Sequence, residues 1–349
     1  MVTESSPESP KKTTRKRNAA PETLGAYVKP QRIGKGAMGE IWLCEDPSLL
    51  RKVIVKQMQT SLRGNKDLIE RFQRECVLLA HLNHPNIVHA YGVWQEKPSG
   101  KLSLAMEYIS GKDLRSILDT CPTPPVWMVL YILHELLQAL VCVHKHNIIH
   151  RDLKPGNMMA EKNGRVRLLD FGIARNANYG QEMTMEGHVL GTAAYMSPEQ
   201  INAHKVTPVS DLFSLGIIAC EMLMGKNPFR GETFELTSQY ILNIRIQKKH
   251  FPLNTPRNLR KWVCKMVEKK PSKRYQSAQE AADALAQIME GYPRQLDLFA
   301  ARWLRSLYQP EVESISPVSK KSVRLKVGLG IGFALGCALG LLIMRLIAG

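Results

Sequence analysis

The chain has 349 residues, 44% apolar and 23% charged, which excludes a disordered or collagen-like polymer and supplies enough material for one large core or two smaller ones. A net charge of +17 narrows the partners to nucleic acid, an anionic membrane or phosphate-bearing ligands. No basic stripe interleaved with aromatics accompanies that charge, which argues against nucleic acid.

The seven cysteines, Cys44, Cys76, Cys121, Cys142, Cys220, Cys264 and Cys337, are scattered, with no CxxC pair and no His/Cys cluster at metal spacing. They read as the thiols of a reduced, cytosolic chain. Residues 1–24 form a basic head rich in Ser, Thr and Pro, with the run KKTTRKR from Lys11 to Arg17, and are expected to be disordered. No apolar stretch follows those basic residues, so no signal peptide is expected. Periodic sequence runs from Tyr27 to Gly291. It is β-patterned as far as Met106, with one helical stretch from Lys66 to Leu82, and mainly helical from Asp113 onward. The expectation is an α+β body in which a small β-rich lobe precedes a larger helical one.

Within the first lobe, IGKGAMGEI (33–41) places Gly34, Gly36 and Gly39 at GxGxxG spacing. Alone this is a weak signal. A dinucleotide fold would need a helix next, whereas EIWLCED alternates like a strand. A glycine loop between two strands can fold over a nucleotide and offer backbone N–H groups to its phosphates, since the missing Cβ atoms allow close approach. The strand VIVK ends on Lys56, a point charge for phosphate, and Glu75 in the helical ERFQRECVLLAHL can pair with it. Each residue by itself reads as a solvated surface charge; their combined spacing is the signal.

In the second lobe, residues 126–146 carry Val129, Ile132, Leu133, Leu136, Leu137, Leu140 and Val143 at i, i+3, i+4 spacing, which predicts a long helix. The loop IIHRDLKPGNMM (148–159) follows, fixed by Pro155 and Gly156, and then LLDFG with Asp170. This set suits phosphoryl transfer. Asp152 can accept a hydroxyl proton and orient the oxygen. Lys154 can neutralise charge on the moving group. Asn157 and Asp170 offer hard oxygens to Mg²⁺, with Mn²⁺ as an alternative.

These motifs resemble those of eukaryotic-type protein kinases, and the likeness runs from Tyr27 to Gly291. GTAAYMSPEQ (191–200) is similar to the family's APE segment, with Ser197 in place of Ala, and DLFSLG (211–216) and KPSKRY (270–275) match later landmarks. LKPGN with GT at 191–192 looks like the serine/threonine branch, and the short lobes resemble bacterial serine/threonine kinases most. The resemblance implies a bilobal kinase fold, ATP and Mg²⁺ as cofactors, and protein substrates with Ser or Thr. It implies that Ile33, Gly34, Gly36, Gly39, Ile41, Lys56, Glu75, Met106, Ile109, Asp113 and Met159 surround ATP. In that set Met106 is the gatekeeper, Ile109 the hinge and Asp113 the ribose contact. It further implies a buried Glu199–Arg274 ion pair, Asp211 holding the catalytic-loop backbone, and Thr192 contacting Asp152 and Lys154. One departure is Ile54, where the family usually has Ala against the adenine. A tighter pocket follows, with every catalytic part kept. The other reading of the chain is a catalytically weak pseudokinase acting as a membrane-bound scaffold.

Thr184, in QEMTMEGH, lies in the activation segment, and Arg151 beside the catalytic Asp can receive its phosphate. Phosphorylation of Thr184 is expected to raise activity. Residues 292–326 read as a juxtamembrane helix and linker. QLDLFAARWLRSLY (295–308) carries Leu296, Phe299, Trp303 and Leu307 toward one side, either packed on the domain or lying in a membrane interface. Residues 327–347 read as a transmembrane helix. Val327–Met344 holds no charge and is about 27 Å long at 1.5 Å per residue. Lys320, Lys321, Arg324 and Lys326 precede the span and only Arg345 follows it. The positive-inside rule then puts the kinase domain in the cytoplasm. Membrane lipid is therefore an expected partner. Gly328, Gly332, Gly336 and Gly340 form a face on which two spans can pair as a homodimer.

Overall fold

Strand alternation shapes the first lobe. A computed structural model describes residues 21–36, 39–58, 76–77, 79–96, 100–170 and 188–308. In it β1 (Thr23–Leu24), β2 (Tyr27–Gly36), β3 (Gly39–Asp46), β4 (Arg51–Met58), β5 (Ala90–Gln95) and β6 (Leu102–Glu107) make an antiparallel sheet of order β1-β2-β3-β4-β6-β5. Period-2 sequence gives this sheet two apolar faces. Leu24, Trp42, Cys44, Val53, Val55 and Ala105 form a separate cluster on one of them. The alternate set, Leu43–Ile54–Met106 and Ile41–Lys56–Leu104 in cross-strand register, lies on the other. There Leu104 and Met106 join the main core and Ile54 packs against it.

A second, three-stranded sheet follows: β7 (Gly111–Asp113), β8 (Met158–Glu161) and β9 (Val166–Leu168), in that order. Val88 N–H donates to the Leu168 carbonyl at 3.0 Å and ties this sheet to the segment before β5. The larger lobe contains α1 (Leu114–Thr120), α2 (Val126–Lys145), α3 (His188–Ala193), α4 (Pro198–Ile201), α5 (Pro208–Met224), α6 (Phe234–Asn243), α7 (Arg257–Met266), α8 (Ala278–Met289) and α9 (Leu296–Ser306). This is the two-lobed α+β arrangement that the sequence resemblance implies.

α2 organises the larger core. Met128 through Leu133, Leu136, Leu137, Leu140 and Val143 are all buried. A helix apolar nearly all round belongs inside a protein, and α2 packs on α5, α8, α9 and β9. Each fully buried Leu or Ile there stabilises the fold by about 1.5–3 kcal/mol. His144 and Lys145 in the last turn complement the helix dipole. Among the described residues, α2 is the one helix long and apolar enough to cross a membrane. Its enclosure by four other elements identifies it as a core helix.

The folded body continues past Gly291, the expected end of the domain, to Tyr308. α9 docks on α2 and β8, as the packed-helix reading of residues 295–308 had it. The docked face keeps Leu296, Trp303 and Leu307 of the expected one, adds small residues and leaves out Phe299. Leu296, Ala300, Ala301 and Leu304 are buried, whereas Phe299 is 47% exposed. Small alanines let the helix approach closely, and Phe299 instead meets the edge of Trp127 at its rim, with ring centroids 6.4 Å apart. The linker, the 327–347 span and its glycine face lie outside the described residues, as does the head up to residue 20.

Candidate active site

The loop from His150 to Asn157 is held from behind by one carboxylate. Asp211, in the first turn of α5, accepts the His150 N–H through Oδ2 at 2.9 Å and the Arg151 N–H through Oδ1 at 2.9 Å. His144 Nε2 donates to the same Oδ2 at 2.8 Å. Arg151 has φ 66°, a left-handed conformation that costs a non-glycine residue on the order of 1 kcal/mol or more and persists where its surroundings over-determine it. Charge-assisted bonds from a buried carboxylate do so here. Burial by itself raises the pKa of Asp211, but the His144 hydrogen bond and charge, with the Arg151 N–H, outweigh it and hold the carboxyl below its ordinary value.

His150 is fully buried, and burial lowers its pKa. It is therefore neutral at physiological pH, with Nε2–H donating to the Leu169 carbonyl at 2.8 Å and Nδ1 accepting from the Asp152 N–H at 3.3 Å. Gln200 Nε2 adds a bond to the Arg151 carbonyl at 2.9 Å. Gln200 is itself fixed by a capping box. Its N–H donates to Ser197 Oγ at 3.3 Å, and its Oε1 accepts the Ser197 N–H at 3.0 Å. Ser197, the departure in the APE-like segment, thus starts α4.

On this frame the polar side chains converge. Lys154 Nζ donates to Asp152 Oδ2 at 3.0 Å and to Thr192 Oγ1 at 3.2 Å. Asn157 Nδ2 donates to the Asp152 carbonyl at 2.8 Å, to Asp152 Oδ2 at 3.0 Å and to the Asp170 carbonyl at 3.4 Å. Lys56 reaches across from β4 to pair with Asp170 Oδ1 at 2.9 Å. Desolvation raises the pKa of Asp170. The Lys56 charge and hydrogen bond, with Lys154 behind them, more than reverse this, and the carboxyl sits below its ordinary value. Asp170 is thus an anion, and Asn157, whose amide nitrogen is committed, keeps its oxygen to offer. Those are hard-oxygen donors of the type Mg²⁺ takes. Glu75, the expected partner of Lys56, and Thr184 lie outside the described residues.

The described residues expected around ATP lie on strands of the two sheets and on the segment between β6 and β7. Ile41 lies opposite both Gly34 and Lys56, and Ile54 lies opposite Met106. Ile33 is 52% exposed. A Cβ at Gly39 would sit 1.9 Å from the Gln57 carbonyl oxygen, so strand packing alone demands glycine there. At Gly34 a Cβ would meet only the Ile41 side chain at 3.7 Å, an ordinary contact. Packing does not require glycine at 34, near the end of β2. Met106 and Ile109 are buried. Asp113 and Met159 face each other across β7 and β8. Asp113 also caps α1, accepting from Ser116 N–H at 2.9 Å and Ser116 Oγ at 2.7 Å. Each oxygen retains a lone pair for a further donor.

At the far edge, Arg274 Nη1 and Nη2 donate to the Glu199 oxygens at 2.7 and 3.0 Å, the bidentate form of the pair expected from sequence. Sequence reasoning missed His144, His150, Gln200 and Arg167. Arg167, from β9, bonds Glu107 Oε1 at 3.2 Å and Glu161 Oε1 at 3.1 Å, and so ties the end of β6 to β8 and β9. The S-x-x-Q pattern at 197–200 was a readable capping signal. The others act across the fold and carry no local one.

A family model described as a protein kinase domain matches residues 27–286. The chain is 35% identical over 270 residues to serine/threonine-protein kinase PknA of Mycobacterium tuberculosis, covering 76% of this chain and 62% of that protein. It is 37% identical over 269 residues to serine/threonine-protein kinase PknB of Mycolicibacterium smegmatis, covering 76% and 43%. The crystal structure of the Mycobacterium tuberculosis PknI kinase domain is similar at a TM-score of 0.61 and 25% identity, covering 77% of this chain and 99% of that one. The chain thus spans less than two thirds of the length of the curated relatives it matches.

Proposed function

The chain belongs to the protein kinase family, and from that premise we propose that it transfers the γ-phosphoryl group of ATP to serine or threonine hydroxyls of proteins. The observation that carries this is the convergence of Asp152, Lys154, Asn157 and Thr192 beside the Lys56–Asp170 pair. Asp152 takes the hydroxyl proton and aligns its oxygen for attack. Lys154 neutralises charge on the transferring group, and Thr192 orients its ammonium. Asp211 and His150 keep the loop backbone in place, so little reorganisation accompanies the reaction. Asp170 and Asn157 would hold Mg²⁺, which supplies charge neutralisation to phosphate oxygens. Ile54 beside Met106 narrows the purine end. The purified full-length chain, given γ-labelled ATP and Mg²⁺, should place label on Ser or Thr of itself or of a generic basic protein. No label, or label on tyrosine alone, contradicts the proposal.

Regulation by Thr184 belongs to the same reading. Among the described residues, Arg151 Nε is buried without a hydrogen-bond partner, which supports a phosphate as its missing acceptor. The uncharged run at 327–344 and the basic residues before it support a single membrane span at 327–347 with the kinase domain in the cytoplasm. The glycine face supports pairing of two copies. Tethered pairs raise one another's effective concentration and favour phosphorylation of Thr184 between copies.

A further inference from the structure

The match to the family ends at residue 286, but α9 and Tyr308 are part of the folded body. Their far end closes on the small sheet of β7, β8 and β9. Tyr308 Oη donates to the Ala160 carbonyl at 2.8 Å. Lys112 Nζ donates to the Leu307 carbonyl at 3.0 Å, and Arg305 Nε to the Lys162 carbonyl at 3.1 Å. The Tyr308 ring lies near two ammonium groups, Lys112 at 5.2 Å and Lys162 at 4.9 Å from its centroid. Two strands are thereby gripped at one level, since Lys112 and Ala160 are cross-strand partners.

The next pair in that ladder is Asp113 with Met159, the expected ribose contact and another of the residues expected around ATP. β7 has only three residues, the short end of the usual strand length, so contacts from outside the sheet weigh more in fixing its position. We propose that α9 and Tyr308 brace the floor of the nucleotide site, with Tyr308 as a positioning residue for ATP. This rests on the nucleotide reading given above. The brace acts on where the nucleotide lies and leaves Asp152, Lys154 and the transfer step alone.

The test is equilibrium binding of a fluorescent ATP analogue to the full-length chain, with ATP KM, kcat and thermal unfolding measured in parallel. Tyr308→Ala should weaken binding and raise ATP KM by roughly five- to tenfold, with kcat at saturating ATP within about twofold of wild type. Tyr308→Phe keeps the ring near both lysines and should recover part of the loss. Arg305→Ala, a milder surface change, should shift KM in the same direction by roughly twofold. Leu298→Ala, on the exposed side of α9, should change neither KM nor kcat. If Tyr308→Ala fails to fold, Arg305→Ala and Tyr308→Phe carry the decision. Unchanged nucleotide affinity in the variants that fold, or a fall in kcat with KM unmoved, overturns the inference and leaves the functional reading standing. A wild-type chain that binds no nucleotide overturns both.

Discussion

Arg274 has no exposed side-chain surface, and Glu199 is the carboxylate that balances it. Removing one partner of such a pair strands the other charge. Glu199→Gln should therefore lower the unfolding free energy at pH 7 by about 3–5 kcal/mol. The pH dependence follows from the sign of the shift. Burial raises the Glu199 pKa, but the Arg274 hydrogen bond and charge outweigh it, so the folded value lies below the ordinary 4.5. Its contribution is then full above pH 4.5 and is lost as the pH falls through the lower folded value. Urea titrations across this range should show wild type losing stability more steeply than Glu199→Gln; parallel slopes contradict the assignment. At this scale the sequence was most readable where residues that come together sit in contiguous motifs, as Asp152, Lys154, Asn157 and Asp170 do. It was silent on His144 and His150, because a histidine on an apolar helix or at a loop start looks the same whether or not Asp211 lies behind it.

The long apolar helix and the alternating strands were legible because burial on one or all faces leaves a periodic trace. α9 was legible as a helix, and its docking face in part, since Leu296, Trp303 and Leu307 do meet the core. Phe299 weighs as heavily in any count of hydrophobicity, whereas close approach to α2 and β8 selects Ala300 and Ala301. The same closeness governs α5 against α7. A Cβ at Gly216 would stand 2.7 Å from Met266 Cβ and 2.8 Å from Val267 Cγ1, neither of them a flexible chain end. Gly216→Ala should cost about 1–3 kcal/mol despite the better helix propensity of alanine. A urea midpoint that falls with an unchanged slope is the expected result. A midpoint at or above wild type means the two helices separate more easily than their packing implies.

For the whole molecule, the proposal joins a kinase body to a glycine-faced span. Replacing Gly332 and Gly336 with Ile should reduce both self-association in membranes and phosphate at Thr184, read by phosphosite mapping. Persistence of both makes the glycines merely tolerated residues of a span. The central claim is narrower: the loop built on Asp211 presents Asp152 as the base for transfer to a hydroxyl. Single-turnover phosphoryl transfer, with ATP bound before the protein substrate is added, tests it most directly. Asp152→Asn keeps the side-chain shape and should bind ATP as wild type does, while transfer slows by roughly a hundred- to ten-thousandfold. Transfer by Asp152→Asn at the wild-type rate contradicts the account.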